Sequence, residues 1–82
     1  MATGSFDRRL LRLEPGAERP YVEAEWDDAL VVVGCGIVEV EDLDGVRWRF
    51  ERGAIIWLTD LPVRALHNPG AEAAVIMAVS RR

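Results

Sequence analysis

Apolar and polar residues alternate along much of the chain. In the segment 46–51, Val46, Trp48 and Phe50 fall on one side and Arg47, Arg49 and Glu51 on the other. That period of two marks a strand with one buried face, and it assigns Trp48 to the core. Residues 37–42 repeat the pattern, with Val38 and Val40 opposite Glu39 and Glu41. Asp44-Gly45 between the two segments is a hairpin-turn signal.

Residues 29–34, 54–59 and 73–79 are continuous apolar runs of strand length, rich in β-branched side chains, as expected of strands covered on both faces. Glycine and proline interrupt the chain at 14–20, 52–53, 60–62 and 68–72 and end each run. Residues 6–14 read as a further strand, because Pro15-Gly16 stops them early, and no helix of ten residues remains. Seven or eight short strands at intervals of roughly 8–12 residues predict an all-β domain, an antiparallel sandwich or small barrel, over residues 1–82.

Composition narrows the chemistry. A net charge of −4 with no basic run argues against nucleic acid and against an anionic membrane surface. No apolar run approaches the ~20 residues that span a bilayer. The first residues lack the apolar core of a signal peptide, and a single cysteine suits a reducing compartment, so the expectation is a cytoplasmic protein. Cys35 stands between Gly34 and Gly36 with nothing basic beside it and is expected as a small buried residue, not a nucleophile. The chain has ten arginines and no lysine, which excludes Schiff-base chemistry. Arg8, Arg9 and Arg12 read as a solvated face.

Residues 31–79 resemble the cupin family, small β-barrels with a jelly-roll core, and the resemblance extends over roughly residues 14–79. The family's second motif, G-x5-P-x-G-x2-H-x3-N, starts here at Gly53 and ends at Asn68, with Thr59, Leu61 and Arg64 at its proline, glycine and histidine. The first motif, G-x5-H-x-H-x3,4-E-x6-G, anchors on Gly36. It places Ala29 at the glutamate and Glu23 and Glu25 at the two histidines, with Gly16 one residue from the opening glycine. The spacing survives while the usual metal ligands do not. The resemblance therefore implies a metal-free, cofactor-free cupin-like barrel. It also implies a homodimer, since the family pairs barrels through sheet edges.

On a strand Tyr21, Glu23 and Glu25 share a face, as do Arg64 and Asn68, while His67 faces the other way. If both sets enter the barrel mouth, Arg64 replaces the charge of the absent metal and pairs with Glu23 or Glu25. The candidate ligand-binding set is Tyr21, Glu23, Glu25, Trp57, Arg64 and Asn68, for a small polar or anionic molecule. The same residues admit a self-satisfied ion pair with no ligand, or outward-facing carboxylates after a one-residue slip. His67 is expected at the surface or in an interface. Trp26, before Asp27-Asp28, is expected to be partly exposed, and Trp57 lines the pocket or an interface.

Three functions follow. The first is a non-catalytic binding or sensing module. The second is an isomerase- or epimerase-type enzyme with Glu23 or Glu25 as base and Arg64 as electrophile. The third is a structural or partner-binding protein with a vestigial pocket. The absence of a second histidine favours the non-catalytic readings.

Overall fold

The computed structural model describes residues 6–26 and 28–81. In chain order the elements are β1 (Phe6–Leu13), β2 (Glu18–Pro20), α1 (Glu23–Trp26), β3 (Ala29–Cys35), β4 (Ile37–Asp42), β5 (Arg47–Glu51), β6 (Ile55–Trp57), β7 (Val63–His67) and β8 (Ala74–Arg81). Two four-stranded antiparallel sheets face each other. The first has the order β1-β8-β3-β6 and the second β2-β7-β4-β5. The all-β expectation holds. Closure does not: the sheets share no ladder, so the barrel is an open sandwich. Two of the edge strands, β2 and β6, are only three residues long and offer too few backbone groups to zip a seam.

Alternation sorts the side chains. Val31 and Val33, Val38 and Val40, Ile56, Leu66, and Ala74, Ile76 and Ala78 meet in one core between the sheets. The hairpin forms where expected. Asp42 Oδ1 accepts from the backbone N–H groups of Asp44 and Val46, both at 2.9 Å, and Gly45 takes the left-handed φ of 84° that the turn needs. Gly36, between β3 and β4, also has a positive φ (78°), and a Cβ there would lie 2.7 Å from Ala74 Cα. Only glycine fits.

Two bulges break the parity that the sequence suggests. Along β3, Val33 pairs with Ile76 but Cys35 pairs with Val75, leaving Gly34 as the extra residue. Cys35 is thereby turned out of the core and is exposed, contrary to expectation. Along β7, Val63 pairs with Asp42 and Ala65 with Glu41, leaving Arg64 as the extra residue. Val63 and Leu66 can then both face the core, and Arg64 cannot share a face with Leu66 as strict alternation requires.

The tryptophans exchange their expected places. Trp48 lies opposite Val40 on the inner face, but β5 is an edge strand with nothing beyond it, and Trp48 is 49% exposed. Trp26 is 0% exposed. Residues 23–26 form a helical turn where a strand was expected, and that turn swings the indole into the core. We predict that Trp26→Ala lowers unfolding free energy by about 3–5 kcal/mol, while Trp48→Ala costs less than about 1.5 kcal/mol. Urea denaturation of both variants measures the difference.

Candidate functional site

Arg19 and Glu25 pair at the end of the sandwich that α1 covers. β2 runs beside β7 with Arg19 opposite Leu66, so Arg19 points toward the inner face. Its Nη2 donates to Glu25 Oε2 at 2.8 Å. Arg9, on the inner face of β1, donates to the backbone carbonyl of Glu25, and its guanidinium lies 5.4 Å from the centroid of the Trp26 ring. Tyr21 stacks on Trp26 with centroids 6.3 Å apart and planes 15° apart. Two arginines thus hold α1 down while its indole fills the space beneath. Neither arginine was a sequence candidate. The available signal was position 19 of a three-residue strand, too short to show its face.

The residues singled out from the sequence separate into four places, Arg64 standing apart from the other three. Tyr21, Glu23 and Glu25 gather at α1, where the helical turn replaces their common strand face. Glu23 is exposed, and Glu25 is taken by Arg19. Asn68 sits in the β7–β8 connection, 1% exposed, with its amide fully used. Nδ2 donates to the carbonyls of Leu13 at 2.9 Å and Glu72 at 2.8 Å, and Oδ1 accepts from Gly70 N at 2.9 Å. It ties the end of β1 to the loop before β8. Trp57 lies on the outer face of the first sheet, beside a shallow socket of about 190 Å³.

Arg64 meets neither Glu23 nor Glu25. Its bulge turns it to the outer face of the second sheet, where Nη1 donates to Glu41 Oε2 at 3.1 Å. Glu41 also takes a 2.7 Å hydrogen bond from His67 Nε2 and lies 3.8 Å from Arg47 Nη2. Glu39 accepts from Arg47 and Arg49, each at 3.4 Å, and His67 Nδ1 faces Glu18 at 3.9 Å. Of the two expectations for His67, the surface or an interface, exposure is overturned. It does face away from the core, but the charged side chains around it leave it only 7% exposed. The His67 hydrogen bond holds the Glu41 carboxyl below its ordinary value; the charges of Arg64, Arg47 and His67 add to this and burial opposes it.

A metal does not fit the positions where the cupin motifs place ligands. Ala29 has no donor atom, Arg64 is a cation on the outer face, and Glu25 is neutralised by Arg19. Among the described residues no three His, Cys, Asp or Glu side chains converge on one point.

Two outcomes follow. Asn68→Ala leaves two carbonyls and an N–H without their partner and should cost about 2–4 kcal/mol of stability, whereas a residue reserved for a ligand would cost little. For Glu41, the folded-state value lies below the unfolded one. Its stabilisation is therefore complete above about pH 5 and is lost as pH falls through the lower, folded value. Glu41→Gln should flatten that acid limb in urea midpoints taken from pH 7 to pH 3.

No family model matches the chain, and no curated protein matches it in sequence. Solved structures do match. A sugar phosphate isomerase from a cupin superfamily, from Silicibacter pomeroyi, is 28% identical with a TM-score of 0.67, over 94% of this chain and 50% of that one. The Cnp3 cupin domain of Schizosaccharomyces pombe is 18% identical with a TM-score of 0.74, over 92% and 51%. A Cupin 2 conserved barrel domain protein from Salinispora arenicola is 22% identical with a TM-score of 0.66, over 90% and 60%. The chain spans between half and three-fifths of each of these structures. Its own architecture is a small cupin-like fold.

Proposed function

We propose that the chain is a non-catalytic, metal-free cupin-fold interaction module that works as a homodimer, with recognition carried by its outer surfaces. The observation that carries this reading is the filled end of the sandwich. Trp26 occupies the space beneath α1, and Arg19 satisfies Glu25. Neither the socket beside Trp57 nor the pocket lined by Gly36, Ile37, Gly70, Ala71 and Glu72 is lined by Tyr21, Glu23, Glu25, Arg64 or Asn68. An enzyme with Glu23 or Glu25 as base and Arg64 as electrophile would need them around one cavity. Here Arg64 is bound to Glu41 on the far side of the second sheet. A lone exposed cysteine suits a cytoplasmic setting.

One observation favours a second reading, a binding or sensing module for a small anionic molecule. Trp26 Nε1, Arg19 Nε and the Thr59 hydroxyl are buried without a hydrogen-bond partner among the described residues. Such groups cost free energy when unsatisfied. A ligand carboxylate that displaced Glu25 from Arg19 would gain donors already in place. In this reading Arg19 takes the role that the sequence suggests for Arg64.

Native mass spectrometry of gently purified protein, without chelator, separates the readings. The interaction module gives a homodimer with no adduct. A reproducible small organic adduct, lost in Arg19→Ala, supports the second reading. A stoichiometric metal adduct contradicts both.

A further inference from the structure

β5 ends the second sheet on one side, and no described strand pairs with its free edge. The hairpin sets the backbone phase of that edge. Asp42 N–H donates to the carbonyl of Val46 at 2.9 Å, so Val46, Trp48 and Phe50 bond toward β4. The N–H and C=O groups of Arg47 and Arg49 therefore point away from the sheet, along one line. Such a row of unmet backbone groups is a template for a further strand unless proline, a bulge or charge blunts it. β5 carries neither proline nor bulge. Its charges at the two outward-bonding positions are of one sign, so they select a partner instead of excluding all.

The two faces of this edge ask for different side chains. On the outer face Arg47 and Arg49 share Glu39, each at 3.4 Å, and Arg47 lies 3.8 Å from Glu41. Glu41 is already bonded to His67 and Arg64. Three guanidiniums thus draw on two carboxylates, and Arg49 has only the shared Glu39 among the described residues. Both Arg47 and Arg49 are half exposed, with guanidinium donors to spare for a further carboxylate. On the inner face Val46 and Trp48 are also half exposed, since β6, an edge of the facing sheet, is only three residues long. An apolar side chain laid there covers the indole.

We propose that the free edge of β5 binds an extended segment of a partner protein carrying an acidic–apolar–acidic triplet, added antiparallel as a further strand of the second sheet. The covered side of β5 displays the pattern that fits. There Glu39 lies opposite Arg49, Val40 opposite Trp48 and Glu41 opposite Arg47. An incoming triplet in the same register meets these three side chains from the other side. Its acids pair with the arginines, its apolar residue packs on Trp48, and its backbone satisfies the N–H and C=O groups of Arg47 and Arg49. A basic segment is repelled by both arginines. A second copy of β5 fits poorly. Centred on Arg49 it opposes two arginines, and centred on Trp48 it opposes Arg47 with Arg49 twice. Centred on Phe50 it keeps only residues 49–51 in register.

The inference rests on the interaction-module reading above and adds the edge and the class of segment. Fluorescence anisotropy on the full chain tests it with a fluorescein-labelled peptide, Ser-Val-Glu-Val-Glu-Val-Ser. The control is the same peptide N-methylated at both glutamates, which keeps the charges but cannot donate to β5. The expected result is saturable binding of the first peptide and none of the second. Trp48→Ala should weaken it about tenfold, and Arg47→Gln or Arg49→Gln about threefold each. Arg8→Gln, on the first sheet, should leave it unchanged, and circular dichroism shows that each variant is folded. Equal binding of the N-methylated peptide, or indifference to Trp48→Ala, reduces the contact to diffuse charge attraction and overturns the proposed edge. So does an absence of binding up to about 1 mM peptide. Self-association of the chain that is lost in Arg49→Pro, which removes the outward N–H and spares the ladder to β4, gives the edge to a second copy and also overturns it. None of these outcomes touches the reading beneath, which fails separately on an adduct in the native mass spectrum.

Discussion

A chain of 82 residues that folds into two facing sheets must fill the space between them, and Trp26 does so beneath α1. Burying one indole there gains more than any aliphatic side chain could, since aromatic burial removes 150–250 Å² from water. The rest of that end is arranged around it. Tyr21 stacks on the ring, Arg9 lies over it, and Arg19 holds the helical turn through Glu25. Filling the interior in this way leaves an indole N–H without a partner, a modest loss against the apolar surface gained.

With the interior occupied, the outer faces acquire the functional interest, and they are chemically opposite. The first sheet presents an apolar outer face, with Leu10, Met77, Val32 and Ile55 in one row across its four strands. The second presents a charged layer centred on Glu41, where one carboxylate accepts from His67 and Arg64 and lies near Arg47. Each exposed pair in that layer contributes little by itself. Together the charges keep the second face solvated.

Local signals in the sequence were legible. The alternation through 46–51 and the Asp44-Gly45 turn produced strands and a hairpin where they were expected, because both depend on neighbours in the chain. The cupin resemblance likewise anticipated the fold. What escaped were features set by register between distant strands. The extra residues at Gly34 and Arg64 reverse parity downstream, so Cys35 turned outward and Arg64 joined Glu41 instead of Glu25. Four helical residues at 23–26 are too few to show a period of 3.6, which hid the burial of Trp26. Trp48 had the inward parity of a core residue, but parity does not reveal that its strand lies at a sheet edge.

The central claim, that Trp26 seals the interior, is tested most directly by hydrogen exchange of the three indole N–H groups in ¹⁵N-labelled protein. The account predicts one strongly protected indole, lost in Trp26→Phe, and fast exchange at Trp48. An indole of Trp26 that exchanges as fast as that of Trp48 would mean an open sandwich end, and the account of a filled interior would be wrong.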